Sequence, residues 1–258
     1  MLIDAHCHID AYPQPAQALA SGEAANVRTV AVSTSLASYV RTRILCRHHP
    51  QVEVALGLHP RRVGTGYDQW PEWKQLLEGA WLVGEAGLDF RHGKEENWAA
   101  QARTLGEIAE ACAGGSRLLM VHSSYAESEV WDIVSARHVR WVIWHDYRAE
   151  APKSVLYRAI EAGHFLAIGP DAVENGVLQQ RLRAIPREQV LTETNGPWSR
   201  LGTGDRAGAL QQLVGRLAEI WRCTPQEAEI RVERNYNQAV AGIRNGMVSP
   251  DEHTDRPA

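Results

Sequence analysis

The chain begins Met1-Leu2-Ile3-Asp4-Ala5-His6-Cys7-His8-Ile9-Asp10. An apolar start that closes on His-x-His reads as a short β-strand carrying two imidazoles at its end. Strand side chains alternate between faces, so His6 and His8 point one way and Cys7 the other. Two neutral imidazoles side by side are a natural clamp for a divalent ion such as zinc, manganese, iron or nickel. A lone His-x-His closes an ordinary strand equally well. The rest of the chain decides the matter, because it keeps returning to the same arrangement.

Seven more apolar runs follow, over residues 29–35, 52–60, 81–85, 118–122, 140–145, 164–169 and 190–195. Helical patterns separate them, at about 15–22, up to 46, 70–78, 97–113, 126–136, 152–161 and 178–185, with 207–221 and 225–243 completing the chain. Largely unalternating strands between helices predict a parallel sheet buried on both faces. Eight of them in 258 residues favour a closed (β/α)₈ TIM barrel over an open doubly wound sheet. Nothing in the chain looks like a linker, a repeat or a low-complexity segment. The expectation is one domain over residues 1–246 and a loose polar tail from 247 to 258.

Composition narrows the function classes. A net charge of −4 argues against coating long nucleic acid through many phosphates, though an end or a single phosphodiester held by metals remains compatible. The chain shows neither an apolar run long enough to span a membrane nor a secretory leader. Its four cysteines, Cys7, Cys46, Cys112 and Cys223, are far apart, which fits a reducing cytoplasm better than a disulfide framework.

In such barrels the active site lies at the carboxyl ends of the strands. There the runs end in His6 and His8, His59, Glu85, His122, His145 and Asn195. Any one of these could simply close a strand, but so many ligand-type side chains at one rim are hard to explain by packing. Buried imidazoles and carboxylates are costly unless shared ions relieve them. Four histidines (His6, His8, His122, His145), Glu85 and Asn195 are more ligands than one tetrahedral ion uses. Two ions roughly 3.5–4 Å apart with Glu85 as bridge fit better. A carbamylated lysine is disfavoured as bridge, since none of Lys74, Lys94 and Lys153 lies at a strand end. Such a pair would lower the pKa of a bound water toward about 7, giving hydrolysis without a protein nucleophile. Consistently, the chain has no G-x-S-x-G, P-loop or dinucleotide fingerprint.

Read together, Asp4-Ala5-His6-Cys7-His8, Gly57-Leu58-His59-Pro60, Gly84-Glu85-Ala86-Gly87-Leu88-Asp89, Val121-His122-Ser123, His145 and Thr192-Glu193-Thr194-Asn195-Gly196-Pro197 resemble the TatD family of metal-dependent DNases, among the amidohydrolase-like barrels. The resemblance runs to about residue 243. It implies that His6, His8, Glu85, His122, His145 and the Asn195 position bind two or three divalent ions (zinc, manganese or magnesium), and that His59 faces the scissile phosphate. DNA, as single strands or 3′ ends, is the implied substrate. The Trp144-His145 and Gly196-Pro197-Trp198 neighbourhoods are similar to members encoded in phage-defence gene clusters, which implies a protein partner from such a cluster.

The chain departs from the family pattern at three places. Asn195 stands where the family has an aspartate that binds a metal and handles the water, Ser124 where it has arginine, and Asp146-Tyr147-Arg148 where it has Cys-Phe-Ser. An amide ligates through its carbonyl oxygen but cannot accept a proton, so activity is expected to be weakened or abolished. Glu193 is a substitute base or, more simply, a carboxylate that orients a metal-bound histidine. Trp144, Tyr147 and Trp198 are candidates for base stacking, and Arg61, Arg62, Arg148 and Arg200 for phosphate contacts. Two other readings stand beside the nuclease: a catalytically silent subunit binding nucleic acid or a partner, and an amidohydrolase of a small substrate.

Overall fold

Eight parallel strands form one sheet in chain order: β1 (Leu2–Cys7), β2 (Val27–Val32), β3 (Val52–Leu58), β4 (Leu82–Asp89), β5 (Leu118–Ser124), β6 (Val142–Trp144), β7 (Phe165–Ile168) and β8 (Val190–Thr192). Helices alternate with them: α1 (Pro15–Ala24), α2 (Leu36–Cys46), α3 (Trp70–Glu78), α4 (Trp98–Cys112), α5 (Glu127–Ala136), α6 (Lys153–Glu161), α7 (Gly176–Ala184), α8 (Arg206–Trp221) and α9 (Pro225–Met247). The computed structural model describes residues 1–63, 70–92, 95–170, 174–198 and 205–247. The expected tail beyond Met247 lies outside them. None of the described helices is long and apolar enough to cross a membrane.

The strands read as unbroken apolar runs because both faces are covered. Every residue of β1 and of β4 is buried. Helix ends are set by local chemistry. Thr224 and Glu227 form a reciprocal capping box at the start of α9, the Thr224 amide donating to Glu227 Oε2 at 2.8 Å and the Glu227 amide to Thr224 Oγ1 at 3.2 Å. Asp205 caps α8 through Gly208 N at 2.9 Å, and Asn175 caps α7. The fully buried Trp73 locks α3 onto β3 by donating Nε1–H to Gly57 O at 3.1 Å.

The sheet curls into a barrel whose last junction differs from the others. Seven junctions are parallel ladders. Between β8 and β1 the lower fastening is made by side chains. Thr192 Oγ1 donates to Ile3 O (2.5 Å), while Thr194 N and Oγ1 both donate to the Asp4 carboxylate (2.8 Å each). Toward the rim two main-chain bonds take over, Asn195 N to His6 O (3.0 Å) and His8 N to Gly196 O (2.7 Å). Strand β8 ends at Thr192, short of the expected Asn195: Glu193 N still bonds back to Ile168 O of β7 at 3.2 Å, while Thr194 and Asn195 serve the seam.

Strand β4 departs in the opposite sense and continues past Glu85 to Asp89. Glycines permit this. A Cβ on Gly87 would lie 1.9 Å from His122 O, so only a bare backbone passes there. One on Gly57 would lie 1.8 Å from Ser33 O and 2.6 Å from Glu85 N, and through that gap the Glu85 amide reaches Ser33 O at 3.3 Å. These close approaches set where the Glu85 carboxylate stands.

Candidate metal centre

The carboxyl ends of β1, β3, β4, β5 and β6 bring five imidazoles around one carboxylate. Glu85 is 2% exposed, and its two oxygens face different histidines. Oε2 lies 3.7 Å from His6 Nε2 and 3.6 Å from His8 Nε2. Oε1 lies 2.5 Å from His122 Nδ1, 3.1 Å from His145 Nε2 and 3.5 Å from His59 Nε2. The imidazoles also crowd one another: His6 and His8 Nε2 atoms are 3.2 Å apart, His122 Nδ1 and His145 Nε2 likewise 3.2 Å, and the His6 and His145 rings stack at 3.8 Å. Among the described residues, three groups have ligand atoms close enough for a single cation: His6, His8 and Glu85; His59, Glu85 and His122; and His6, His145 and Glu193. Glu85 belongs to the first two and His6 to the first and third.

Carboxylates stand behind two of the histidines. His122 Nε2 is 3.5 Å from Asp89 Oδ2, and His145 Nδ1 is 3.5 Å from Glu193 Oε1. A carboxylate on the far nitrogen fixes the ring and raises the basicity of the near one, as in metal-binding histidines generally. Asp89 is itself held by Arg61 Nε at 2.8 Å, and Glu193 Oε1 accepts the Asp146 amide at 2.8 Å.

Electrostatics divides the imidazoles into two kinds. Burial lowers the pKa of His6, His8 and His59, that of His59 to about 4, and Glu85 only partly offsets it. These rings are neutral at pH 7, as ligands and neutral donors must be. For His122 and His145 burial also opposes protonation, but the carboxylates together outweigh it and raise both pKa values: Glu85 with Asp89 for the first, Glu85 with Glu193 for the second. Glu85 is pushed up by burial, yet the surrounding histidines pull it well below the carboxylate range. The pocket is thus built to hold positive charge, whether as protons or as cations.

The donor set fits divalent ions. Glu85 Oε2, the oxygen that faces His6 and His8, is buried without a hydrogen-bond partner. Native interiors leave few such groups, and a shared ion is the ordinary remedy. His59 differs. Its Nδ1 accepts the Arg61 amide at 3.1 Å, so in the neutral ring Nε2 carries the hydrogen and faces the site as a donor.

The structure brings His6, His8, His59, Glu85, His122 and His145 together, and it puts Asn195 at the same end of the barrel. Asn195 is half-buried with φ 49°, in the left-handed region that asparagine and aspartate tolerate. Its carboxamide makes no hydrogen bond among the described residues. The expectation that Trp144 and Tyr147 stack on bases is corrected. Both are buried, Trp144 donating to His164 Nδ1 at 3.1 Å and the Tyr147 hydroxyl accepting from Arg181 at 2.9 Å, so neither ring faces a substrate. Trp198 is 68% exposed, its ring centroid 6.2 Å from that of His8. Arg148 pairs with Glu127 at 3.0 Å, and Arg200 lies outside the described residues. Asp89 carries no separate role in the sequence, where it only closes the Gly84–Asp89 stretch, though Glu85 and Asp89 share a strand face by their even spacing.

The model of the TatD related DNase family matches residues 3–240. Human deoxyribonuclease TATDN3 is 24% identical over 215 residues, 76% of this chain and 78% of that protein. The metal-dependent hydrolase YcfH of Escherichia coli K12 is 23% identical over 210 residues, 76% of this chain and 78% of its own length. Among solved structures, the TatD homologue YJJV of Escherichia coli K12 superposes with a TM-score of 0.81 at 20% identity, covering 92% of this chain and 97% of the other.

Proposed function

This chain belongs to the TatD-related DNase family, and from that premise we propose that it is a metal-dependent phosphodiesterase that removes nucleotides from single-stranded or 3′ ends of DNA. The observation that carries the reading is Glu85, a buried carboxylate with histidines on both oxygens and no hydrogen-bond donor on Oε2. His6 and His8 would hold one ion with Glu85, His122 and His145 a second, and the Asn195 carbonyl oxygen would add a neutral ligand. Bound divalent ions supply Lewis acidity, which activates water near neutral pH and offsets charge building on phosphorus.

The chain's own groups do the rest. His59, neutral and protonated on Nε2, donates to a non-bridging phosphate oxygen. Asp89 and Glu193 hold the His122 and His145 rings in one tautomer. Arg61, half exposed and anchored on Asp89, stands at the rim where a neighbouring phosphate passes. Asn195 offers no proton acceptor at its place on the rim, so turnover is slow relative to a carboxylate form. With a net charge of −4, selection of a flexible end replaces broad electrostatic grip.

Incubation of labelled single-stranded oligonucleotides with Mg²⁺, Mn²⁺ or Zn²⁺ tests this. A ladder or mononucleotides are expected from linear strands and none from a covalently closed circle. Equal rates on both would remove the end-directed mechanism. Binding without cleavage would favour the silent subunit, a reading that Asn195 itself motivates. The phage-defence partner rests on the Trp144-His145 and Gly196-Pro197-Trp198 neighbourhoods alone, and a cytoplasmic location on the four unpaired cysteines.

A further inference from the structure

One exposed aromatic residue at the metal-centre end combines an unusual backbone conformation with two arginines close to its ring. Tyr125 directly follows β5, three residues beyond His122, which is roughly 10 Å along an extended chain. Its φ is 58°, and it is 56% exposed. A bulky residue in the left-handed region is uncommon, and persists where its surroundings hold it. Here the surroundings are cationic. The Arg148 guanidinium lies 5.1 Å from the ring centroid and that of Arg91 5.5 Å.

The two arginines are not equivalent. Arg148 is tied down, its Nη2 donating to Ser123 O at 3.2 Å and to Glu127 Oε1 at 3.0 Å. Arg91 is exposed and has no carboxylate partner among the described residues. It leaves β4 beside Tyr125, since Asp89 pairs with Ser124 across the two strands and Phe90 N donates to Ser124 O at 2.8 Å.

We propose that Tyr125, backed by Arg148 and flanked by Arg91, is a stacking platform for one base of a single-stranded nucleic acid, with Arg91 taking the adjoining phosphate. It deepens the nuclease reading and rests on it for the substrate class. An exposed ring with guanidiniums over it, one of them without a carboxylate partner among the described residues, matches a ligand that is aromatic and anionic at once, which a nucleotide is. In a duplex the base faces are already stacked on one another, so only an unpaired strand offers a free face. The platform therefore supplies the single-strand preference that net charge alone does not.

The test is fluorescence anisotropy of a labelled oligothymidylate and of an abasic oligomer of the same length, with Ca²⁺ as the divalent ion. Alanine is strained at positive φ, so Tyr125→Asn removes the ring while keeping a residue suited to that backbone. It should weaken oligothymidylate binding roughly 5- to 150-fold and leave the abasic oligomer unaffected. Tyr125→Phe should stay within about twofold on both. Arg91→Gln should weaken both and flatten the slope of log affinity on log salt by roughly 0.7. Unchanged binding in Tyr125→Asn, or an equal loss on the abasic oligomer, overturns the platform. Hydrolysis of bis(p-nitrophenyl) phosphate by the unaltered protein with Mn²⁺ is measured separately. Ring-dependent binding without hydrolysis keeps the platform and removes the nuclease, and hydrolysis with ring-independent binding does the reverse.

Discussion

Two carboxylates are buried to the same degree and live under opposite conditions. Asp4, in the seam between β1 and β8, is 0% exposed, and Glu85, at the rim, is 2% exposed. Both Asp4 oxygens accept hydrogen bonds from Thr194, and Arg206 Nη1 stands 3.6 Å away. Burial still pushes the Asp4 pKa up, against the pull of Arg206, but its bonding is complete. Glu85 has imidazoles about it and an oxygen without a donor. Burial alone therefore does not mark a functional carboxylate. Incomplete bonding among metal-type neighbours does.

The contrast breaks most sharply at Glu85. Glu85→Gln should lower any hydrolysis at least about 10³-fold, since metal ions supply several kcal/mol of transition-state stabilisation. It should also abolish the rise in melting temperature on adding Zn²⁺ or Mn²⁺, which thermal melts read without reference to activity. Retained metal content by elemental analysis would deny Glu85 its bridging place.

At the seam the damage should fall on stability. Asp4→Asn leaves the Arg206 guanidinium buried and unpaired, which costs about 3–5 kcal/mol in urea denaturation. Metal per folded molecule should be unchanged. Loss of metal at full stability would place Asp4 in the site and dissolve the comparison. An Asp4→Asn/Arg206→Met pair should recover part of the loss, as removal of both charges does elsewhere.

The smallest effect sharpens the rim itself. Asn195→Asp would place a carboxylate, and with it a proton acceptor, at a backbone conformation that suits either residue. At neutral pH with metal supplied, turnover should rise at least about tenfold, or ~1.4 kcal/mol of barrier, with affinity little changed. If the aspartate form is no faster while Glu193→Gln is dead, Glu193 is the base. Burial raises the Glu193 pKa to about 6 despite His145, so such a base would work only above that pH.

Legibility in the sequence followed physical range. The strands and the alternation with helices were readable because both faces are covered and each run is apolar throughout. His6, His8, Glu85, His122 and His145 were readable because each interrupts such a run. Less visible was what depends on distant partners. Residues 193–195 look like the end of a strand, and only the presence of Asp4 and His6 across the seam shows why β8 stops at Thr192. Tyr147 and Trp144 sit beside a site histidine in sequence, but the barrel wall turns them into the core. Tyr125 carried no local signal, since its meaning comes from Arg91 on a neighbouring strand and Arg148 after β6.

The seam has a further consequence, in the time domain. A barrel fastened by seven ladders and one set of side chains should open first where the ladder is missing. Amide hydrogens of β1 and β8 should exchange with solvent ahead of those in β4 and β5, in a breathing motion well below global unfolding. Yet the upper end of that seam is made by His6, His8 and Asn195, whose main chains bond across it. A cation shared between those histidines and Glu85 would rivet the loose edge to the firm side of the wall. Slowed exchange along β1 and β8 on metal addition would make the reaction centre also the clasp of the barrel.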